Sequence, residues 1–171
     1  GRRGRNLGRD TLTMKILMIG HRGYVGPVAA RHLARTLPGV EVHGLDADWF
    51  AGSEAAPFPD DAFASQRKAD VRDLTEADFT GFDAVVALAA VSNDPIGKEF
   101  EDATADINSA AVLKAAKAAK AAGVTRFVFA SSCSMYGAGA DGLRKETDAL
   151  NPLTAYARSK VATEEGLRPL A

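Results

Sequence analysis

Tyr156 and Lys160 stand four residues apart, so on a helix the phenol and the ammonium share one face within reach of each other. A cation so placed favours phenolate, which makes the pair a proton donor and acceptor usable near neutral pH. A helix can also carry these two residues for no chemical reason. Upstream, Ser131-Ser132-Cys133-Ser134-Met135-Tyr136-Gly137 follows an apolar run. A hydroxyl at the carboxyl end of a central strand faces the crevice in which α/β sheets bind ligands, and can hydrogen-bond a reacting hydroxyl. The plainer reading is that these serines cap local backbone. Cys133 reads as a small packing residue rather than a nucleophile, since no histidine is adjacent in sequence. His21, His32 and His43 take no catalytic role.

Gly20-His21-Arg22-Gly23-Tyr24-Val25-Gly26 lies where the first apolar run passes into a helical pattern. Glycines there permit a tight turn and let backbone N–H groups approach a pyrophosphate, while the helix N-terminus supplies partial positive charge. The spacing departs from G-x-G-x-x-G, and glycines that serve backbone geometry alone are the alternative. Asp46 follows the second apolar run, where a dinucleotide-binding fold needs an acid to accept from the adenosine ribose hydroxyls. That favours NAD over NADP. Arg22 pulls the other way, because a guanidinium in the loop can pair with a 2'-phosphate. Surface acids are also common at strand ends.

The elements that must hold these groups alternate between short apolar runs and helical patterns, which is the mark of strand–helix–strand units around a parallel sheet. Lys15 to Ile19 reads as strand one, and a helix from Tyr24 stops at Pro38-Gly39. Val40 to Leu45 reads as strand two. Ala47 to Ala64 reads as loop, followed by a short strand near Gln66 to Ala69 and a brief helix around Thr75 to Phe79. Asp83 to Ala90 is a nearly unbroken apolar run, as expected of a central strand covered on both faces. Glu101 to Ala122 is a long crossover helix, with Lys114, Lys117 and Lys120 on a solvated stripe and Gly123 at its end. Arg126 to Ser131 gives strand five, a turn-rich stretch runs from Tyr136 to Pro152, and a last helix begins near Thr154. The fold class expected is α/β, a Rossmann-like doubly wound parallel sheet.

With 171 residues and 46% hydrophobic content, the chain suits one domain with one core. A net charge of -1 provides no field to attract nucleic acid or an anionic membrane. One cysteine excludes an internal disulfide, and no Cys or His pair has metal-ligand spacing, so a metal-free site and a cytoplasmic setting are expected. No apolar run reaches the ~20 residues needed to cross a bilayer. Gly1 to Thr13 carries Arg2, Arg3, Arg5 and Arg9 with little apolar content, and is expected to be a disordered basic tail ahead of a domain spanning 14–171. Met14 looks like the original start.

Taken in order, Gly20-x-x-Gly23-x-x-Gly26, Asp46, Asp70-Val71, Leu88-Ala89-Ala90, Asn108, Ser131 to Gly137 and Tyr156-x-x-x-Lys160 resemble the extended short-chain dehydrogenases/reductases, from Met14 onward. Val91-Ser92-Asn93-Asp94-Pro95 and Ser131 to Gly137 are similar to NAD-dependent epimerase/dehydratase members that act on nucleotide sugars. The resemblance implies Tyr156 as catalytic acid/base, Lys160 bonding the nicotinamide ribose and favouring the Tyr156 phenolate, and Ser132 orienting the sugar hydroxyl. It implies a cofactor site made from Gly20, Arg22, Gly23, Tyr24, Val25, Gly26, Asp46, Asp70 and Val71 at the adenine, Leu88, Ala89 and Ala90 along the cofactor, and Asn108 near it. The implied chemistry is hydride removal from a sugar carbon by NAD while Tyr156 takes the hydroxyl proton. Cys133 and Ser134 stand where sugar 4,6-dehydratases carry an acidic pair, so epimerase or oxidoreductase chemistry is preferred. Ala87 replaces a histidine carried by many relatives.

Relatives of this kind continue past the Tyr/Lys helix into a substrate-binding region, so the chain is expected to be truncated after that helix, to leave an open sheet edge and uncovered apolar helix faces, and to turn over weakly alone. They often pair through helices matching Glu101 to Ala122 and Thr154 to Arg168, which implies a homodimer. A non-catalytic dinucleotide-binding or sensor module on the same fold is the alternative. It would need the glycine loop and Asp46, but not Ser132, Tyr156 and Lys160.

Overall fold

A computed structural model describes residues 13–50, 52, 57–92, 100–137 and 142–171. Nearly all of the expected basic tail, and the Asn93-Asp94-Pro95 part of the family-like stretch, lie outside the described residues. Strand β1 (Lys15–Ile19) is the buried spine: after Lys15, every residue from Ile16 to Ile19 is at most 5% exposed. Such a strand needs partners on both edges and cover on both faces. β2 (Glu41–Asp46) pairs with it on one side and β4 (Ala84–Ala87) on the other, both parallel. β3 (Ser65–Lys68) extends the β2 side and β5 (Arg126–Phe129) extends the β4 side, giving the order β3-β2-β1-β4-β5.

The alternation of side chains along β1 divides the core in two. Leu17 and Ile19 join Leu45, Val85, Phe79, Ile107 and Ala115 on one face; Met18 joins Val42, Ala30 and Phe63 on the other. Helix α1 (Gly26–Thr36) covers the Met18 face. The Leu17 face is covered by a long helical stretch: α2 (Glu101–Ala105), a π-helical segment Asp106–Ala111, and α3 (Val112–Ala121). Helix α4 (Ala155–Leu167) packs against that stretch, with Gly166 set against Leu113 so closely that a Cβ would collide. Helices on both faces of a parallel sheet make the doubly wound arrangement expected from the sequence.

Several expected elements differ in detail: the first helix begins at Gly26 rather than Tyr24, and strands two and three are each shifted by one residue. β4 is half the length of the Asp83–Ala90 run, because beyond Ala87 the N–H groups of Leu88 and Ala89 both donate to the Ile19 carbonyl, at 2.8 and 3.1 Å, and the ladder ends. β5 likewise stops at Phe129 rather than Ser131. The brief helix is one 3-10 turn, Glu76–Phe79, in which Asp78 Oδ2 accepts from the Thr75 N–H at 2.8 Å. Lys114, Lys117 and Lys120 are exposed as the stripe requires, and two of them also tie neighbours: Lys114 Nζ donates to the Arg72 carbonyl and Lys120 Nζ to that of Leu170, each at 2.7 Å.

Candidate functional site

Going from β1 to β2 and β3 the chain winds one way, and from β4 to β5 the other. The crevice of such a sheet opens at the carboxyl ends of the two strands flanking this reversal. There Ile19 ends β1 and Gly20 takes φ +82, a left-handed value that favours glycine. A side chain on Gly20 would run into the Ala89 backbone, so the loop and the post-β4 segment lie in direct contact. The Gly20 N–H donates to the Leu45 carbonyl at 2.7 Å and Gly23 N–H to the Gly20 carbonyl at 3.2 Å, which fixes the turn. Helix α1 then begins with no side-chain cap and no acid in its first turn, leaving its positive end suited to an anion.

Asp46 holds the turn from the β2 side. Its Oδ2 accepts from the Arg22 N–H and its Oδ1 from the Asp48 N–H, both at 2.9 Å. The Arg22 guanidinium stacks 4.4 Å from the Phe58 ring centroid, and its Nε lies 3.6 Å from Asp48 Oδ1. A 2'-phosphate brought to Arg22 would meet that second carboxylate, which lessens the pull towards NADP that the arginine suggests. Beyond β3, Asp70 accepts from the Arg72 backbone and binds its guanidinium through both oxygens, at 3.0 and 2.7 Å. That side-chain hydrogen bonding holds the Asp70 carboxyl below its ordinary range.

Of the residues singled out from the sequence, Gly20, Arg22, Gly23, Asp46, Asp70, Val71, Leu88, Ala89 and Ala90 line one crevice. Tyr24, Val25, Gly26 and Asn108 are not on its wall. Tyr24 is 93% exposed and Val25 55%, while Gly26 is buried with its Cα against the His21 carbonyl, where a Cβ would not fit. Asn108 has no exposure at all. Its Oδ1 accepts from the Val91 N–H at 2.7 Å, and its Nδ2 donates to the Val91 carbonyl at 3.0 Å and to Ser159 Oγ at 3.2 Å. It therefore fastens the crevice wall from behind. Trp49, Phe50, Ala47 and Ile107 also line the crevice and were not singled out. A Trp-Phe pair three residues after Asp46, in a stretch otherwise loop-like, was the available signal.

Tyr156, Lys160 and Ser132 lie on the β4–β5 side. Thr154 caps α4, its hydroxyl accepting from the Ala157 N–H at 3.1 Å, and the first turn carries Tyr156. Lys160, one turn on, is only 3% exposed. Its Nζ donates to the Ala130 carbonyl at 2.7 Å and sits 5.3 Å from the Tyr156 ring centroid and 4.6 Å from that of Phe129. Burial pulls its pKa from 10.5 down to about 8. Ser132 does cap local backbone: its hydroxyl accepts from the Ser134 N–H at 3.2 Å and pairs with Ser134 Oγ at 3.0 Å, starting the 3-10 turn Cys133–Tyr136. Cys133 is an exposed free thiol. His21 is buried between β2 and Phe58 and Phe63, its Nε2 paired with Gln66 Oε1 at 2.9 Å. Among the described residues, no cluster of acidic, histidine or cysteine side chains could hold a metal, and no helix is long and apolar enough to cross a membrane.

The UDP-glucose 4-epimerase of Streptomyces lividans is 31% identical over 156 residues, which cover 88% of this chain and 45% of that protein. Among solved structures, DesIV, a dTDP-glucose 4,6-dehydratase from Streptomyces venezuelae crystallised with NAD, superposes with a TM-score of 0.81 at 30% identity, covering 91% of this chain and 51% of that one. The UDP-Glc/GlcNAc 4-epimerase of Campylobacter jejuni gives a TM-score of 0.79 at 27% identity over 91% of this chain and 48% of that one. The chain thus spans about half the length of the relatives it matches. The model of the NAD dependent epimerase/dehydratase family matches residues 16–171, and the chain belongs to that family.

Proposed function

We propose that this chain binds NAD across the carboxyl ends of β2, β1 and β4, and serves an epimerase or oxidoreductase acting on a nucleotide sugar. The observation that carries the reading is the single crevice formed by the glycine turn, Asp46, Asp70-Val71 and Leu88–Ala90. Its features suit a dinucleotide: a glycine where any Cβ would block the turn, an uncapped helix N-terminus for the pyrophosphate, and an acid for the ribose hydroxyls. NAD bound there would supply the acceptor for a hydride from a sugar carbon. Tyr156 takes the proton from the hydroxyl on that carbon and returns it in the reverse direction. Lys160, tied to the Ala130 carbonyl and close to the Tyr156 ring, would support the phenolate and hold the nicotinamide ribose. Ser132 orients the sugar hydroxyl.

Calorimetric titration of the chain with NAD and with NADP tests the reading. NAD binds in preference to NADP, and Asp46→Ala weakens NAD about tenfold or more, since a hydrogen-bonded charged acceptor is worth roughly 1.5–3 kcal/mol. A folded chain that takes up neither cofactor overturns the proposal. A chain that binds NAD but fails to oxidise any nucleotide sugar, with Tyr156→Phe behaving identically to the native chain, favours a dinucleotide-binding module without catalysis.

A further inference from the structure

Two large aromatic side chains stand open to solvent at the crevice mouth: Trp49 is 56% exposed and Phe50 64%, and both line it beside Asp46 and Asp70. Exposed aromatics rimming a binding cleft are informative where isolated exposed leucines are not. Their placement is enforced. Asp48 adopts φ +58, a conformation uncommon for a residue with a side chain, and its N–H is held by Asp46 Oδ1 at 2.9 Å. The same carboxylate thus closes the glycine turn and throws the next residue, Trp49, over the crevice. From across the mouth the Arg72 guanidinium, anchored by Asp70, approaches within 5.6 Å of the Trp49 ring centroid. The cation–π contact helps hold the indole in place, and an indole face so held can stack a flat ring.

Position decides which ring. β2 and β3 lie on one side of β1, whereas Ser132, Tyr156 and Lys160 gather beyond β4, on the other. The pyrophosphate belongs between them at the glycine turn. Whatever reaches Trp49 is therefore the end of the dinucleotide farther from the reacting carbon. We infer that Trp49 is a stacking platform for the adenine ring, held in place by the Asp46–Asp48 turn and by Arg72. This inference rests on the crevice being a dinucleotide site, and adds a residue and a recognition mode to it. Stacking reads a π face and no edge, so affinity gained here is shared by ADP and AMP.

Trp49 is the only tryptophan in the chain, so its emission reports this contact directly. ADP, which lacks the nicotinamide half, is titrated by calorimetry and by tryptophan fluorescence in parallel. Saturable quenching with the calorimetric midpoint is expected. Trp49→Ala weakens ADP and NAD alike by tenfold or more, while Trp49→Tyr stays within about threefold of the native chain, because either aromatic face can stack. NAD or ADP binding with unchanged Trp49 emission and unchanged affinity in Trp49→Ala overturns the stacking role and leaves the dinucleotide site standing. No heat and no quenching with either ligand removes both.

Discussion

A lysine with 3% exposure is costly to keep charged, and Lys160 shows it in a pKa drawn down to about 8 by burial. The protonated form is not abandoned, since it donates to the Ala130 carbonyl at 2.7 Å and lies near the faces of Phe129 and Tyr156. Because the folded pKa is lower than the unfolded value of 10.5, the unfolded chain binds more protons between pH 8 and 10.5. Stability therefore rises with pH through that window, on the order of 3 kcal/mol at most. We expect the stability of the native chain relative to Lys160→Met, from urea unfolding at pH 7 and pH 10, to shift in favour of the native chain at the higher pH. A difference independent of pH would mean that Lys160 does not titrate in that range. The proposed chemistry runs the opposite way, because support for the Tyr156 phenolate needs the ammonium and fades above pH 8. The Tyr/Lys spacing was readable from sequence alone, but the conflict between charge and burial depends on Phe129 and Ala130, thirty residues away.

Elements were readable where one periodicity ruled them. β1 was readable because a short apolar block of four residues, stopped at once by Gly20, suits a strand covered on both faces. The π-helical turn at Asp106–Ala111 was not, since Ala-rich sequence through this region fits an α-helix equally well. Tertiary contacts gather there: the Thr163 hydroxyl of α4, with one hydrogen to donate, lies 2.9 Å from the Asn108 carbonyl and 2.8 Å from that of Ser159, while the Asn108 side-chain amide is drawn to Val91 and Ser159. Gly44 in the middle of β2 is another case. Glycine weakens a strand, yet here the His21 ring occupies the space where its Cβ would stand. The turn and the strand thus have one shared slot. Gly44→Ala is expected to lose about 2–3 kcal/mol in urea unfolding, as overpacked sites do. In a His21→Ala background the same change should cost under about 0.5 kcal/mol. Additive losses in the double variant would show that the two positions do not compete for that space.

Across the whole molecule, the division into a β2–β3 side and a β4–β5 side was inferable from the alternation of strands and helices, whereas the quality of each edge was not. Val128 in β5 is 55% exposed, and a groove between β5, α3 and α4 is lined by Ala116, Phe127, Phe129 and Leu167. β3 is exposed along its length. β1 stands at the middle of the sheet, with a parallel neighbour on each edge, a filled core on each face and four consecutive buried residues. That position makes the spine a clock for the chain's openings. Backbone amide hydrogens of β1 can trade with deuterium only when the sheet comes apart, while those of β3 and β5 escape through local fraying. Amides from Ile16 to Ile19 should exchange orders of magnitude more slowly than those from Arg126 to Phe129, at a rate that tracks global unfolding in urea. Equal rates along all five strands would mean that the sheet opens as one body, with no part of it outlasting the rest.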